Sequence, residues 1–385
     1  MSNTNVKYCA LTTISNSLKA FVLPSLDNLK EKGYEITVSC AEDKEFAKMM
    51  EGRFSYFPLD ISRGFCLSKT LKNIYVLWRF FKKEKFDMIE YGTENIAFCA
   101  SIAGFLAHVP IRIYNHWGAR YVGLTGIERT VSIWIERLAA FFSTNVRQVS
   151  HRNAEMCVQE RVYPKQKVKV LGKGGTIGVD FARFDLLKKQ QYAVEIREQY
   201  NLSTEDFVFG FVGRIQTDKG INELISAFRR IYESDKNVYL MLVGSLDTEN
   251  PIEEENLLWA KECPNVIWTG FVSDTYKYIS SFDLLVHPTY REGFGMVLQE
   301  AAAVKTPIIT TNIMGPGEFI EHHVTGVLVS PKSDMELYEA MMEVMHSEDK
   351  RNEYAKNCYE YTRLYFERSV MLNRIYEDRE ELRRR

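Results

Sequence analysis

Phe207-Val-Phe-Gly-Phe-Val-Gly213-Arg214-Ile-Gln-Thr-Asp-Lys219-Gly220 is the stretch on which the fold turns. Its first seven residues form an apolar, β-prone run of the kind buried on both faces in a parallel sheet. Two cations, Arg214 and Lys219, follow in a short loop, and an apolar-periodic segment after Gly220 reads as a helix. A buried strand, a tight turn and a helix make up half of a βαβ unit. Arg supplies a planar fork of donors and Lys a point charge, and Gly213 lets backbone come close, so the loop suits a diphosphate. The plain alternative is two surface cations in a loop.

The same alternation recurs along the chain. Val6–Leu11, Glu35–Cys40, Phe86–Tyr91, Ile111–Asn115, Thr144–Val149 and Lys167–Leu171 read as strands before it. With Phe207–Gly213, the runs Val238–Gly244, Val266–Gly270, Leu284–His287, Pro307–Thr311 and Gly326–Val329 read as strands after it. Leu18–Lys32 and Leu67–Lys83 have helical spacing, and Asp334–Arg385 is helical throughout by pattern. Strand–helix alternation predicts an α/β protein with parallel sheets and helices on both faces. At 385 residues the chain suits two such domains. Charge-rich Asp185–Glu205 separates the sets, so the hinge is expected near Val179–Leu187. The expected division is 1–182, 183–358 and a helix over 359–385 that returns to the first domain. Two doubly wound Rossmann-like domains then face a cleft, with ligands outside the carboxyl ends of the strands.

Composition is that of an ordinary globular protein, 45% hydrophobic and 26% charged. No run reaches the ~20 apolar residues of a membrane span, and Ile96–Val109 is core-helix length. Met1–Lys7 is polar, without a signal-peptide core. Seven scattered cysteines, with no Cys-x-x-Cys pair, fit a reducing compartment rather than zinc or disulfides. A cytoplasmic protein is expected, peripheral on the inner face of the membrane. Residues 1–185 hold 26 Lys and Arg against 18 Asp and Glu, and the remainder holds 23 against 33. A basic first half suggests an anionic neighbour or is simple drift in surface composition, while the acidic second half disfavours nucleic acid. Ser68–Phe86 carries Leu71, Ile74, Tyr75, Trp78 and Phe81 among Lys69, Lys72, Arg79, Lys82, Lys83 and Lys85. Such a helix suits an anionic membrane surface, unless its apolar stripe packs on the sheet.

A second loop carries chemistry: Pro288-Thr-Tyr-Arg-Glu292-Gly293-Phe294-Gly295-Met-Val-Leu-Gln-Glu300. A strand leads through glycines into a helix whose N-terminus favours phosphate. Glu292 lies in the loop beside whatever sugar the phosphate carries, and Glu300, inside the helix, can meet ribose hydroxyls. Alternatively the two carboxylates are an acid/base pair for glycoside hydrolysis.

Tyr290-Arg-Glu-Gly-Phe-Gly-x4-Glu300, with Gly213-Arg214-x4-Lys219-Gly220, resembles the retaining glycosyltransferases of family 4, the GT-B architecture. Thr125–Arg129, Val170–Asp180 and Thr325–Val329 carry the likeness over most of the chain. More closely the sequence resembles bacterial enzymes of capsule, O-antigen and lipid-linked glycan assembly. The resemblance implies that Arg214 and Lys219 hold the donor diphosphate. Glu300 then holds the ribose, and Glu292, Gly293 and the Phe294–Gly295 backbone hold sugar and phosphate. It implies a hexose or N-acetylhexosamine moved with retention from a UDP-sugar to a polyprenyl-diphosphate-linked saccharide. No metal and no cofactor is expected, since two cations and a helix N-terminus can take the leaving group's charge. Ile113-Tyr-Asn-His116-Trp117-Gly118-Ala-Arg120 departs from the pattern, with Trp before the glycine where relatives have Arg or His. His116 is expected at the sugar or acceptor, or as a structural histidine, and Arg120 at an acceptor phosphate. The turn Thr12–Ser17 lacks the expected glycine, though Ser15 to Ser17 can still approach the diphosphate. His151, at a strand end, is placed to line the cleft. It is given no role, and neither are His287, His322 and His323. The rival reading is a nucleotide-sugar epimerase or another non-transferase on this fold.

Overall fold

The computed structural model describes residues 6–61 and 66–385. The expectation drawn from the polar start of the chain falls largely on residues 1–5, outside the described residues. Two compact units form, one from Met1–Ile177 with Ser369–Arg385 and the other from Gly178–Arg368. These bounds differ from the expected 182 and 358. The helix Glu348–Phe366 runs unbroken and packs within the second unit, so the chain leaves that unit only after Arg368.

In chain order the first unit holds β1 (Val6–Leu11), α1 (Ser15–Phe21), α2 (Leu23–Glu31), β2 (Tyr34–Ala41), α3 (Lys44–Met50), β3 (Ser55–Leu59) and α4 (Leu67–Glu84). There follow β4 (Met88–Gly92), α5 (Glu94–Leu106), β5 (Ile111–His116), α6 (Gly126–Phe142), β6 (Asn145–Gln148), α7 (His151–Gln159) and β7 (Val168–Val170). All pairings are parallel, in the order β3-β2-β1-β4-β5-β6-β7. Successive residues of β1 enter opposite cores: Val6, Tyr8 and Ala10 one, Cys9 and Leu11 the other. That is the two-residue period of a sheet covered on both faces. The expected helix over Leu18–Lys32 is two helices, with Pro24 in the first turn of α2 marking the restart. β3 is an edge strand that the sequence reading missed; its Pro58 is tolerated there because an edge strand can spare an N–H.

The second unit contains α8 (Leu186–Gln199), β8 (Phe207–Val212), α9 (Ile221–Ser234), β9 (Val238–Val243), α10 (Glu254–Glu262), β10 (Val266–Gly270), α11 (Thr275–Ser281) and β11 (Leu284–His287). It continues with α12 (Met296–Ala303), β12 (Ile308–Thr311), α13 (Pro316–Phe319), β13 (Val327–Val329), α14 (Asp334–Met345) and α15 (Glu348–Phe366). Its sheet is parallel, in the order β10-β9-β8-β11-β12-β13. The charge-rich segment expected to separate the two sets is largely α8, capped by Asp185, whose carboxylate accepts the Leu187 N–H at 3.0 Å. That helix packs on α11 through a narrow face that includes buried Ile196, so most of its surface stays charged.

The last helix, α16 (Arg368–Arg384), lies with the first unit from Ser369 onward. Its Asp378 accepts from Arg147 at 2.7 and 2.9 Å, and its Arg379 meets Glu90, all four side chains buried.

Within α4, Leu77 and Phe81 enter the core and Phe80 stacks on Phe57 at 3.8 Å. Leu71 and Tyr75 stay exposed. The stripe expected at a membrane is thus divided between the sheet and solvent.

Candidate active site

In the second sheet the chain order reverses between β8 and β11, which pair directly. A doubly wound sheet binds its ligands beyond the carboxyl ends of strands at such a switch point. The two loops singled out in the sequence leave those two strands.

The loops are bound to each other. The Tyr290 N–H donates to the Asp218 carbonyl at 2.9 Å, the Thr289 hydroxyl donates to the same carbonyl at 3.3 Å, and Arg291 pairs with the Asp218 carboxylate at 3.0 Å. Gly220, at φ +70°, lies so near the second loop that a Cβ there would stand 2.0 Å from the Pro288 carbonyl oxygen. Only glycine permits that approach and that backbone. Gly244, at the end of β9, seals the base of the first loop, since a Cβ there would meet the Gly213 carbonyl oxygen at 1.9 Å.

Lys219 Nζ lies 2.8 Å from Glu292 Oε2 and 3.4 Å from the Arg291 carbonyl. His287 Nε2 stands 3.8 Å from the same carboxylate, and its ring stacks on Phe211 at 5.6 Å. Burial alone would raise the Glu292 carboxyl, but Lys219 and His287 together more than offset it and hold the group well below the usual carboxylate range. Burial, with Lys219 adding to it, pushes His287 below its ordinary value, so its ring is neutral near pH 7. The sequence reading assigned His287 nothing; its place at the end of a strand, just before the glycine loop, was the signal available.

Arg214 leaves the same strand end, but its guanidinium pairs with Asp247 at 3.1 Å and is 62% exposed, against 15% for Lys219. Gly295 caps α12, and the Gly293 N–H donates to Glu292 Oε1 at 3.0 Å. The Phe294 ring turns inward, 5.4 Å from Phe366 and 6.1 Å from Phe319, which anchors the loop and leaves only its backbone for a ligand. Glu300 accepts from the Thr275 hydroxyl at 3.2 Å. Burial pushes its carboxyl up to about 7, against the pull of Thr275, Arg183 and Arg368. The four charged groups are therefore not one cluster: Lys219 and Glu292 form a pair, while Arg214 and Glu300 each have another partner.

His116 belongs to the first unit, at the end of β5, and is 2% exposed. Its Nε2 faces Glu136 at 3.5 Å, and Nδ1 faces the Gln148 amide at 3.0 Å and the Tyr163 hydroxyl at 3.3 Å. Burial opposes its protonation, but Glu136 and then Cys157 outweigh burial and push it up to about 10. His116 is thus enclosed in a buried polar network, which suits the structural reading of this residue; its place at a sugar or acceptor stays a proposal. Ser15 donates to Asp43 at 2.6 Å, and Arg120, 58% exposed, pairs with Glu94 at 2.8 Å. Among the described residues no three or more His, Cys, Asp or Glu gather as metal ligands would, and no helix is long and apolar enough to cross a membrane.

Two parallel doubly wound units, one with cationic and glycine loops at its switch point, define a GT-B architecture. The family model for glycosyl transferases group 1 matches residues 193–361. The capsular polysaccharide biosynthesis glycosyltransferase CapM of Staphylococcus aureus is 31% identical, over 92% of this chain and 91% of its own. An Escherichia coli protein, UDP-Gal:alpha-D-GlcNAc-diphosphoundecaprenol alpha-1,3-galactosyltransferase, is 22% identical over 93% and 92%. The crystal structure of Anabaena HepE with UDP and glucose superposes with a TM-score of 0.79 at 19% identity, covering 98% of this chain and 100% of that one. The chain belongs to the group 1 glycosyl transferases, and it is a glycosyltransferase.

Proposed function

We propose that this glycosyltransferase moves a hexose or N-acetylhexosamine from a UDP-sugar to a polyprenyl-diphosphate-linked saccharide, with retention, in capsule or O-antigen assembly. The observation that carries the donor reading is the pair of loops locked together at the switch point, which presents Lys219 and Glu292 beside the N-terminus of α12. A nucleotide diphosphate gains charge as the sugar leaves. Lys219, Arg214 released from Asp247, and the first turn of α12 would take up that charge without a metal. The bond from the anomeric carbon to the β-phosphate oxygen breaks, and its electron pair goes to the diphosphate. The acceptor oxygen bonds to the same face of that carbon, and its proton passes to the departing phosphate. Glu300 takes the ribose hydroxyls. The named donor and acceptor of the Escherichia coli relative, and the UDP and glucose held by HepE, support these choices.

The test is turnover of a panel of UDP-sugars with a synthetic lipid-diphosphate saccharide, with and without excess chelator, and the anomeric coupling of the product read by NMR. Transfer that persists in chelator and keeps the donor's configuration is expected. An inverted product, or turnover restored only by magnesium or manganese, would overturn the mechanism. Donor converted without any acceptor would overturn the transfer reading.

A further inference from the structure

Helix α6 has two faces of opposite standing. Ser132, Ile133, Glu136, Ala139 and Ala140 are buried against the first unit. On the other side Ile127, Val131, Trp134, Leu138 and Phe141 are exposed, Ile127 by 82%, Trp134 by 55% and Phe141 by 70%. Their spacing alternates four and three residues, which places all five on one line along the helix. A solvent-facing helix ordinarily has its polar residues on that side. The patch extends beyond α6: Phe142 lies 5.1 Å from Phe141 and 5.2 Å from Phe105, where α5 leaves Phe105 and Leu106 exposed. An apolar surface of this extent marks a partner or a membrane.

Cations border it. The Arg137 guanidinium sits 5.1 Å over the Trp134 ring, and Lys167 Nζ lies 5.9 Å from the Phe141 ring centre. Lys167 also donates to the carbonyls of Ala140, Phe141 and Ser143, which fixes a positive charge at the C-terminal end of the helix. Arg161 and Lys165 are exposed nearby, in the segment that follows α7, and Arg161 lines an open hollow with Phe141. Against these stand Glu128, exposed on α6, and Glu160, which pairs with Arg129 at 2.6 Å. A second copy of the chain packed symmetrically on this face would bring two basic borders together. An anionic lipid surface meets both features at once: aromatic side chains enter the interface and cations meet phosphates.

We propose that the outward face of α6 docks the first unit on an anionic bilayer, Trp134 and Phe141 entering the interfacial layer and Arg137, Arg161 and Lys165 facing lipid phosphates. This deepens the reading of a lipid-linked acceptor and rests on it for the reason the chain meets a membrane. It also moves the contact from α4 to α6.

The experiment is flotation of the full chain with phosphatidylglycerol-rich vesicles and with pure phosphatidylcholine vesicles. The wild type is expected to float with the first and much less with the second. The double variant Trp134→Gln/Phe141→Gln should lose roughly tenfold or more in partitioning, as removal of two large apolar groups from an interface implies. Arg137→Gln/Lys165→Gln should weaken binding and its salt dependence, while Leu71→Gln/Tyr75→Gln in α4 should bind as the wild type does. A melting curve establishes that each variant is folded. Should the double variant unfold, Trp134→Phe decides: it should keep binding but lose most of the vesicle-induced blue shift in tryptophan emission. The proposal is overturned if the wild type does not float or if only the α4 variant is released. An unchanged blue shift in Trp134→Phe would overturn it as well. A dimer in sedimentation velocity that Trp134→Gln/Phe141→Gln converts to monomer, without vesicle binding, would assign the face to a second copy. No readout uses a sugar donor, so lost transfer with intact flotation would sink the functional reading alone.

Discussion

Arg214 and Lys219 look equivalent in sequence and are not equivalent in the fold. Arg214 pairs with Asp247 while mostly in solvent, where water screens an ion pair and leaves it little net stabilisation. Arg214→Ala should therefore leave the unfolding midpoint almost unchanged. If it grips the leaving diphosphate, kcat/KM should fall roughly 30- to several-thousand-fold, since a truncated charge contact costs about 2–5 kcal/mol. Lys219→Ala should show the same kinetic loss and also a lower midpoint, because the mostly buried Glu292 carboxylate loses its cation. The depressed Glu292 carboxyl contributes stability above its unfolded value near 4.5 that is lost as pH falls, and Lys219→Ala should flatten that acid-side slope. Near-wild-type turnover in both variants would place the diphosphate elsewhere. Glu300 behaves oppositely. Its carboxyl is raised to about 7, so the stability it contributes is complete below about 4.5 and is lost as pH rises through 7. Melting temperature followed across that window should decline in the wild type, and Glu300→Gln should remove this part of the slope. UDP titrations should tighten from pH 6 to pH 8 in the wild type and stay flat in Glu300→Gln if the carboxylate binds ribose.

At the scale of elements, the buried network around His116 ties β5, α6 and α7 together. Glu136 comes from α6, Cys157 from α7, and Tyr163 from the turn beyond. His116→Ala leaves the Glu136 carboxylate without its imidazolium in a site closed to water. A loss of about 3–5 kcal/mol is expected, read as a lower urea midpoint. A variant of unchanged stability but lost turnover would restore His116 to the sugar. The elements themselves were largely legible. Val6–Leu11, Val266–Gly270 and Leu284–His287 fall where the apolar runs put them. β3 was not legible because its Pro58 argues against a strand unless the strand lies at an edge, and edge position belongs to the sheet, not to the segment. α8 was passed over because a charged segment with one fully buried side chain has almost no apolar period to detect.

Over the whole molecule, the chain's last helix serves the unit that the first residues began. Asp378 joins Arg147 of β6 to its neighbour Arg379, which in turn meets Glu90 of β4. Asp378→Ala leaves two buried guanidiniums with less counter-charge and should destabilise the first unit by about 3–5 kcal/mol. A melting curve should then show the first unit unfolding ahead of the second, whose core includes none of these residues. A single unchanged transition would show that α16 adds little to the first unit.

The amino-acid sequence alone settled the alternation of strands and helices, the two-unit plan and the two glycine-bearing loops that leave β8 and β11. These are properties of short segments, where period and turn chemistry are written residue by residue. Strand order, and with it the switch point between β8 and β11, came only with the tertiary structure, because pairing joins residues far apart in the chain. The same holds for partners. Nothing local says that Arg214 faces Asp247, that Glu300 lies buried beside Thr275 or that His116 is enclosed. α6 is the clearest case: its apolar residues surround much of the helix, and period alone cannot tell which line the sheet will cover and which it will leave to solvent.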